Sequence, residues 1–150
     1  MTVRFVVLLA VALAGQTPAP QQKSAPNPLF SATHLTCSFP VYAAPVWKEG
    51  AAQVVSRAQD FTFDIDAINT KKKSARIVGK GGVSAPASIL PTDIGLNVIE
   101  GTPIGNLNVT TVFVAGGEDG KYIAVHSRHI GDLTSAPAPS QNYGTCTIAK

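Results

Sequence analysis

Residues 106–130, NLNVTTVFVAGGEDGKYIAVHSRHI, contain the clearest pair of strands in the chain. Apolar and β-branched residues alternate with polar ones over 107–115 and again over 121–130, which is the two-residue period of a β-strand. The five residues between them, 116–120, include three glycines, and hairpin loops of this length commonly contain glycine. The stretch therefore predicts a β-hairpin within a fold of short antiparallel strands.

The two-residue period also divides the side chains of the second strand between two faces. One face carries Ile123, Val125, Ser127 and His129, and the other carries Tyr122, Ala124, His126 and Arg128. Because a sheet buries its apolar side, we expect the Ile123 and Val125 face to lie against the core. His126 and Arg128 are then expected to project from the opposite face.

Further strands are predicted by similar alternation or short apolar runs, over 33–41, 59–68, 74–78, 83–90, 96–100 and 141–148. The chain contains 13 Gly and 11 Pro, which favour turns between these segments over long helices. Residues 43–58 stay open between a short helix, a loop and an irregular strand. The sequence thus predicts an all-β fold of about seven or eight strands, either a small antiparallel barrel or a sandwich.

The two cysteines of the chain, Cys37 and Cys146, lie in the first and last predicted strands. In an oxidising compartment such a pair forms a disulfide. Cys37 shares its strand face with Leu35 and Phe39, so the bond would be protected on the inward side. The rival interpretation is a metal-binding or nucleophilic thiol pair, but the CxxC spacing of such pairs is not present. We therefore predict a disulfide that joins the first strand to the last, and we prefer the barrel.

The N-terminus has the pattern of a cleavable export signal over residues 1–14. Arg4 precedes a short apolar run, and residues 12–14, Ala-Leu-Ala, match a small-x-small cleavage site. The run is shorter than the roughly 20 residues that span a bilayer. Residues 15–29, rich in Pro and Gln, predict a flexible linker, and residues 30–150 a single β domain. The predicted location is periplasmic or extracellular, with no transmembrane segment after signal cleavage.

The net charge of the chain is small. It is +3, and removal of Arg4 with the signal leaves +2. The basic residues do not form a long face of the kind that binds nucleic acid. Nucleic acid is therefore excluded from the predicted partners.

Charged side chains cluster around the strand predicted over 59–68. Asp60, Asp64 and Asp66 share one face of it, and the basic cluster formed by residues 71–73, Arg76 and Lys80 follows. The acids fit a calcium site, and the cations fit docking onto an acidic partner or an anionic surface. The alternative interpretation is a solvated strand face beside a solvated hairpin tip.

The densest polar cluster is His126-Ser127-Arg128-His129. Ser127 and His129 share a strand face, and an aspartate from the 59–68 strand would complete a nucleophile, base and orienter. The sequence has no Gly-x-Ser-x-Gly elbow. A zinc site needs three or four ligands, and the three histidines have neither HxH nor HxxxH spacing. We predict no catalytic residue, no metal and no cofactor, and keep a hydrolase using Ser127 and His129 as an alternative.

Recognition of a ligand needs no catalytic geometry. Arg128 offers a planar fork for a carboxylate or phosphate. His126 lies on the same strand face, and Tyr122, Tyr143 and Trp47 are the aromatic residues available to surround it. These five form the predicted ligand-binding set.

Three stretches carry a resemblance to other proteins: GNLNVTTVF at 105–113, AVHSRH at 124–129 and SQNYGTC at 140–146. They resemble a group of small secreted bacterial β proteins of unassigned function, which implies export and no particular activity. The export signal, a cysteine in the first strand, another near the end and about eight strands are similar to the periplasmic C-type lysozyme inhibitors of the membrane-bound family. The Ser-Gly and Tyr-containing inhibitory motif of that family does not occur here, so no site residue is carried over.

The predicted function is a secreted or periplasmic, non-catalytic binding module whose partner is a small ligand or an envelope protein. The first alternative, which the second resemblance implies, is an inhibitor or structural partner of a cell-envelope enzyme. The second alternative is the hydrolase.

Overall fold

A computed structural model describes residues 27–131 and 136–149, and within these residues the chain forms a closed barrel of eight antiparallel strands. The strands are β1 (Leu35–Lys48), β2 (Ala51–Asn69), β3 (Ser74–Val78), β4 (Ser84–Thr92), β5 (Gly95–Gly101), β6 (Leu107–Phe113), β7 (Lys121–His129) and β8 (Ser140–Ile148). Each strand pairs with the next, and β8 pairs with β1. The predicted all-β fold is confirmed, and it is a barrel.

The seam between β1 and β8 closes the barrel. Cys37 lies directly opposite Cys146 in the antiparallel register, and the two form a disulfide across 109 positions of sequence. Both cysteines are fully buried. The predicted disulfide is confirmed, and it fits an oxidising compartment, periplasmic or extracellular.

A β-bulge interrupts this seam. Ser38 pairs with Thr145 and Val41 with Tyr143, so two residues of β1 lie opposite Gly144 alone. A β-carbon at Gly144 would lie 1.9 Å from the carbonyl oxygen of Ser38. Only glycine allows the two backbones to approach this closely.

Residues 43–58 are strand, which resolves the open alternatives. β1 and β2 join through Glu49 and Gly50, whose φ angles of 51° and 80° are those of a two-residue hairpin turn. Pairing of β1 with β8 ends at Ala43, and pairing of β2 with β3 begins at Asp64. The far part of the β1–β2 hairpin, residues 44–58, therefore projects beyond the barrel wall as a two-stranded ribbon.

The interior face of β7 is the opposite of the one predicted. Ala124 is fully buried and His126 is 3% exposed, whereas Ile123 is 41% exposed. Ala124 lies opposite Val112 of β6 and Gly144 of β8, where the narrow lumen accepts only a small side chain. The apolar residues on the Ile123 face did not mark the interior of the barrel, because polar side chains line part of the lumen. His126 and Arg128 therefore belong to the interior face of β7.

One end of the barrel is closed by the segment that precedes β1. Leu29, in the 3-10 turn Pro28–Ser31, is fully buried within the same apolar cluster as Leu35 and Leu96. The amide of Ile68 donates to the carbonyl of Thr33 at 3.1 Å and ties this segment to the end of β2. This segment closes one end of the lumen, and we call the other end the mouth.

The predicted export signal, residues 1–14, and most of the predicted linker, 15–29, lie outside the described residues. Leu29, which the sequence places in that linker, packs in the core. Among the described residues there is no helix with the length and hydropathy required to cross a bilayer.

The aspartates of β2 pair with basic or hydroxyl side chains on the outer surface. Arg76 donates to Asp66 through two nitrogens, at 2.9 and 2.6 Å, and Lys80 donates to Asp60 at 3.0 Å. Thr36 donates to Asp64 at 2.8 Å. This arrangement matches the solvated strand face and hairpin tip.

Replacing Gly144 with Ala should disrupt the seam, because the added methyl group overlaps the β1 backbone. We expect G144A to lose about 3 kcal/mol or more of unfolding free energy, or to fail to fold. Urea denaturation followed by circular dichroism measures the loss. Gly101→Ala is the matched control, since nothing lies within 4 Å of the added carbon; an equal loss in both variants would contradict the close approach at Gly144.

Candidate functional site

Four polar side chains form a row across the inner wall at the mouth. Asn108 of β6 lies opposite Glu100 of β5 and Arg128 of β7, and Arg128 lies opposite Ser140 of β8. All four occupy the inward positions of their strands, in register with the buried His126 and Val98. The mouth row therefore places a carboxylate, an amide, a guanidinium and a hydroxyl side by side.

A second row lies one inward position deeper. The Thr110 hydroxyl and His126 Nδ1 share a hydrogen bond of 2.8 Å. Asn142 Nδ2 donates to the carbonyl of His126 at 2.9 Å, and Gln59 Nε2 donates to Asn142 Oδ1 at 2.7 Å. These bonds satisfy polar groups that burial would otherwise penalise, so the deeper row is a rigid support for the mouth row.

Three phenylalanines surround His126. The ring centroids of Phe39, Phe61 and Phe63 lie 5.8, 5.4 and 5.2 Å from that of His126. Burial, together with the smaller effect of the nearby Arg128 charge, lowers the pKa of His126 from 6.5 to about 4. The imidazole is therefore neutral at physiological pH.

A pocket of about 320 Å³ lies over these two rows. Its lining combines the charged and amide groups of the mouth row with an apolar floor of Phe61, Phe63 and Ile77. Asp60 and Lys80, which pair with each other, stand at its rim. Small-molecule sites are usually apolar pockets with a few convergent polar groups. The volume of this pocket is near the lower end of the usual range of roughly 300–1,000 Å³.

Among the described residues, not every polar group of the mouth row has a hydrogen-bond or ion-pair partner. Asn108 Nδ2 donates to Glu100 Oε2 at 2.8 Å, which fixes the amide so that Oδ1 faces away from the carboxylate. That Oδ1 is buried and accepts no hydrogen bond from any described residue. Among residues 27–131 and 136–149, no carboxylate lies within 4 Å of the Arg128 guanidinium. The pocket thus holds an acceptor and a cation to which the described residues offer no partner.

The outer surface carries a second pocket, a groove of about 300 Å³ between the β1–β2 hairpin and the outer face of β7 and β8. Its lining is largely apolar and includes Pro45, Val54 and Tyr143. The Tyr143 hydroxyl donates to the Gln141 side chain within the same groove. Arg128 and Ser140 of the mouth row also line this outer groove, whereas Glu100 and Asn108 line the mouth pocket.

The structure divides the predicted ligand-binding set, and Arg128 lines both the mouth pocket and the outer groove. His126 and Arg128 line the mouth pocket. Tyr122 faces inward on the same strand, four residues and about 13 Å from His126, and lies opposite Cys146 toward the closed end. Tyr143 lies in the outer groove, and Trp47 lies near the hairpin tip, where its Nε1 donates to the Pro137 carbonyl at 2.8 Å.

The residues of the hydrolase alternative lie outside the barrel. Ser127 and His129 line the outer groove. The aspartates considered as their partner belong to β2, three strands away around the barrel and about 14 Å distant at the usual strand spacing. Within the described residues, no group of three His, Cys, Asp or Glu side chains could hold a metal ion.

Sequence reasoning missed Glu100, Asn108 and Phe61 as residues of the site. Glu100 ends a strand that is otherwise apolar on its inward face, after Leu96 and Val98. A charged residue at an inward strand position indicates a candidate site, but this signal can be used only when the inward face of the strand is known. That face became known only with the strand register.

Neither a protein-family model nor a curated protein matches this chain. The geometry of the mouth is therefore the basis for assigning a function.

The buried His126 should make folding stability depend on pH. Its folded pKa lies below its unfolded value, so the unfolded state binds a proton more readily between pH 6.5 and 4. The stabilisation is fully present above pH 6.5 and is lost as the pH falls toward 4, in total about 3 kcal/mol. Urea denaturation across this range measures it.

His126→Gln removes the titration but can still bond to Thr110. We expect H126Q to show a shallower loss of stability between pH 6.5 and 4 than the wild type. His129→Gln, on the outer face, serves as the control and should follow the wild-type curve. Parallel curves for H126Q and the wild type would show that His126 is not the group responsible.

Proposed function

We propose that this protein is a secreted or periplasmic, non-catalytic binding module that holds a small ligand in the mouth of its barrel. The observation that carries the proposal is the mouth pocket with its apolar floor, in which the described residues supply no donor to the buried Asn108 Oδ1 and no carboxylate to Arg128. Unpaired polar groups cost stability when buried. A ligand that pairs with them explains why they are kept there.

Binding fits the geometry better than catalysis does. The Thr110 hydroxyl and the His126 imidazole share a hydrogen bond of 2.8 Å. Thr110 is 0% exposed and His126 is 3% exposed. A nucleophile must reach its substrate, and this hydroxyl is sealed beneath the mouth row. Ser127 and His129 line the outer groove, and none of the described residues that line it with them is an aspartate or glutamate.

Replacing Arg128 should weaken ligand binding at the mouth. A library of small organic molecules screened by two-dimensional 1H–15N NMR should give hits that shift the amide resonances of Asn108, His126 and Arg128. Arg128→Gln should raise the dissociation constant of anionic hits about 10-fold or more, since a bond to a charged group contributes about 1.5–3 kcal/mol. Lys121→Gln, at the opposite end of β7, is the charge-matched control. Hits that avoid the mouth, or that bind both variants alike, would contradict the proposal.

The projecting hairpin supports a second candidate function, an inhibitor or structural partner of a cell-envelope enzyme. Its ribbon, residues 44–58, exposes Val46, Trp47, Val54 and Val55, of which Val54 is 75% exposed. Trp47 and Val54 lie on one face of the ribbon and Val46 and Val55 on the other, and exposed apolar side chains of this kind are typical of protein-binding surfaces. The ribbon extends beyond the barrel wall, and Trp47 near its tip bonds to the Pro137 carbonyl in the β7–β8 connection.

This second candidate predicts loss of activity when the protein is added to a lysozyme or another cell-wall hydrolase. Val54→Ser should weaken the inhibition about 10-fold or more if the ribbon makes the contact. Val83→Ser is the matched control, because Val83 is 77% exposed on a different loop. Unchanged hydrolase rates at micromolar wild-type protein would remove this candidate and leave the small-ligand module.

A further inference from the structure

We infer that the mouth pocket binds a zwitterion, specifically a free α-amino acid with an apolar side chain. This inference rests on the proposed small-ligand function and names its ligand class. It follows from the order of the charges in the mouth row, from their failure to pair with each other, and from the apolar floor beneath them.

The first step concerns the two charges. Glu100 and Arg128 face into one pocket from strands on either side of β6, about 10 Å apart at the usual spacing. Among the described residues neither takes part in a salt bridge. Two opposite charges that share a pocket without pairing leave room for a molecule carrying both complementary charges between them.

Asn108 keeps these charges apart. Its position lies between those of Glu100 and Arg128 in the row, and its Nδ2 donates to the carboxylate at 2.8 Å. The bond leaves the buried Oδ1 as an acceptor with no described donor. An ammonium group supplies three donors, so a single ammonium can bond to both Glu100 and Oδ1.

The carboxylate of the same molecule then meets Arg128. A guanidinium binds a carboxylate through two parallel hydrogen bonds. The sequence of carboxylate, amide and guanidinium along the wall thus matches the ammonium and carboxylate of one amino acid.

The charge balance disfavours other small anions. Glu100 repels a second negative charge, so a phosphate ester or dicarboxylate is a poorer fit than a molecule with no net charge. The formal charges lining the pocket, those of Asp60, Glu100, Lys80 and Arg128, cancel. The floor of Phe61, Phe63 and Ile77 receives an apolar side chain.

Four probes that share one aromatic body test the inference by isothermal titration calorimetry at pH 7. Phenylalanine carries both charges, 3-phenylpropionate only the carboxylate, phenethylamine only the ammonium, and phenylalaninamide the ammonium with a neutral amide. We expect phenylalanine to bind at least about 10-fold more tightly than each of the others, since each lacks one charged contact. Equal or tighter binding of a singly charged probe overturns the inference.

Two variants then assign each charge to its partner. Glu100→Gln should weaken phenylalanine and phenethylamine about 5-fold or more and leave 3-phenylpropionate unchanged or tighter. Arg128→Gln should weaken phenylalanine and 3-phenylpropionate and spare phenethylamine. Lys121→Gln should bind all four probes as the wild type does. The same loss for every probe in both variants would indicate damage to the pocket and overturn the charge assignment.

The outcomes separate this inference from the proposed function. If the NMR library gives hits at the mouth but the wild type does not prefer phenylalanine among the four probes, the ligand class is wrong and the small-ligand module stands. If neither the library nor any probe shifts the mouth resonances, both are wrong. The comparison among probes uses the wild-type protein and so does not depend on whether a variant folds.

Discussion

Closure of the barrel between β1 and β8 is the constraint that positions the rest of the molecule. The two strands are far apart in sequence, and Cys37 and Cys146 join them covalently at a directly opposed pair. In the chain-entropy model, a link across a loop of this length contributes on the order of 4–5 kcal/mol. The bulge opposite Gly144 lies next to this link, at the β1 segment that contains Phe39. The seam therefore stabilises the barrel and also positions Phe39, one of the three phenylalanines around His126.

The lumen changes in character along its axis. Toward the closed end it is filled by apolar side chains such as Leu35, Leu96 and Val112. At the mouth the inward positions are Glu100, Asn108 and Arg128, which an ordinary core would not contain. Hydrogen bonds in the row beneath satisfy the deeper polar groups, whereas the mouth keeps an acceptor and a cation without described partners. A stable fold does not require these groups, and this is why we place the function at the mouth.

The sequence predicted the parts of this arrangement that a local residue pattern reveals. The two-residue period revealed the central strands and the glycine-rich loop between β6 and β7, and the cysteine spacing predicted the seam. The inward face of β7 could not be predicted, because Ile123 and Val125 gave an apolar signal on the outer wall of a barrel whose inner wall is partly polar. Local pattern could not place Tyr143 in the outer groove or Trp47 near the hairpin tip, since both positions depend on strand register and on the projecting ribbon. Glu100 and Asn108 become neighbours through the β5–β6 pairing.

The buried Leu29 at the closed end has a kinetic consequence. Since that end of the lumen is occupied, a molecule seated at the mouth must depart by the path along which it arrived. Its residence time is then governed by the groups around the rim, among them the ion pair of Asp60 and Lys80. Rising ionic strength weakens such an exposed pair, so for the ligand proposed above the ionic strength of the medium would alter how long the molecule is retained.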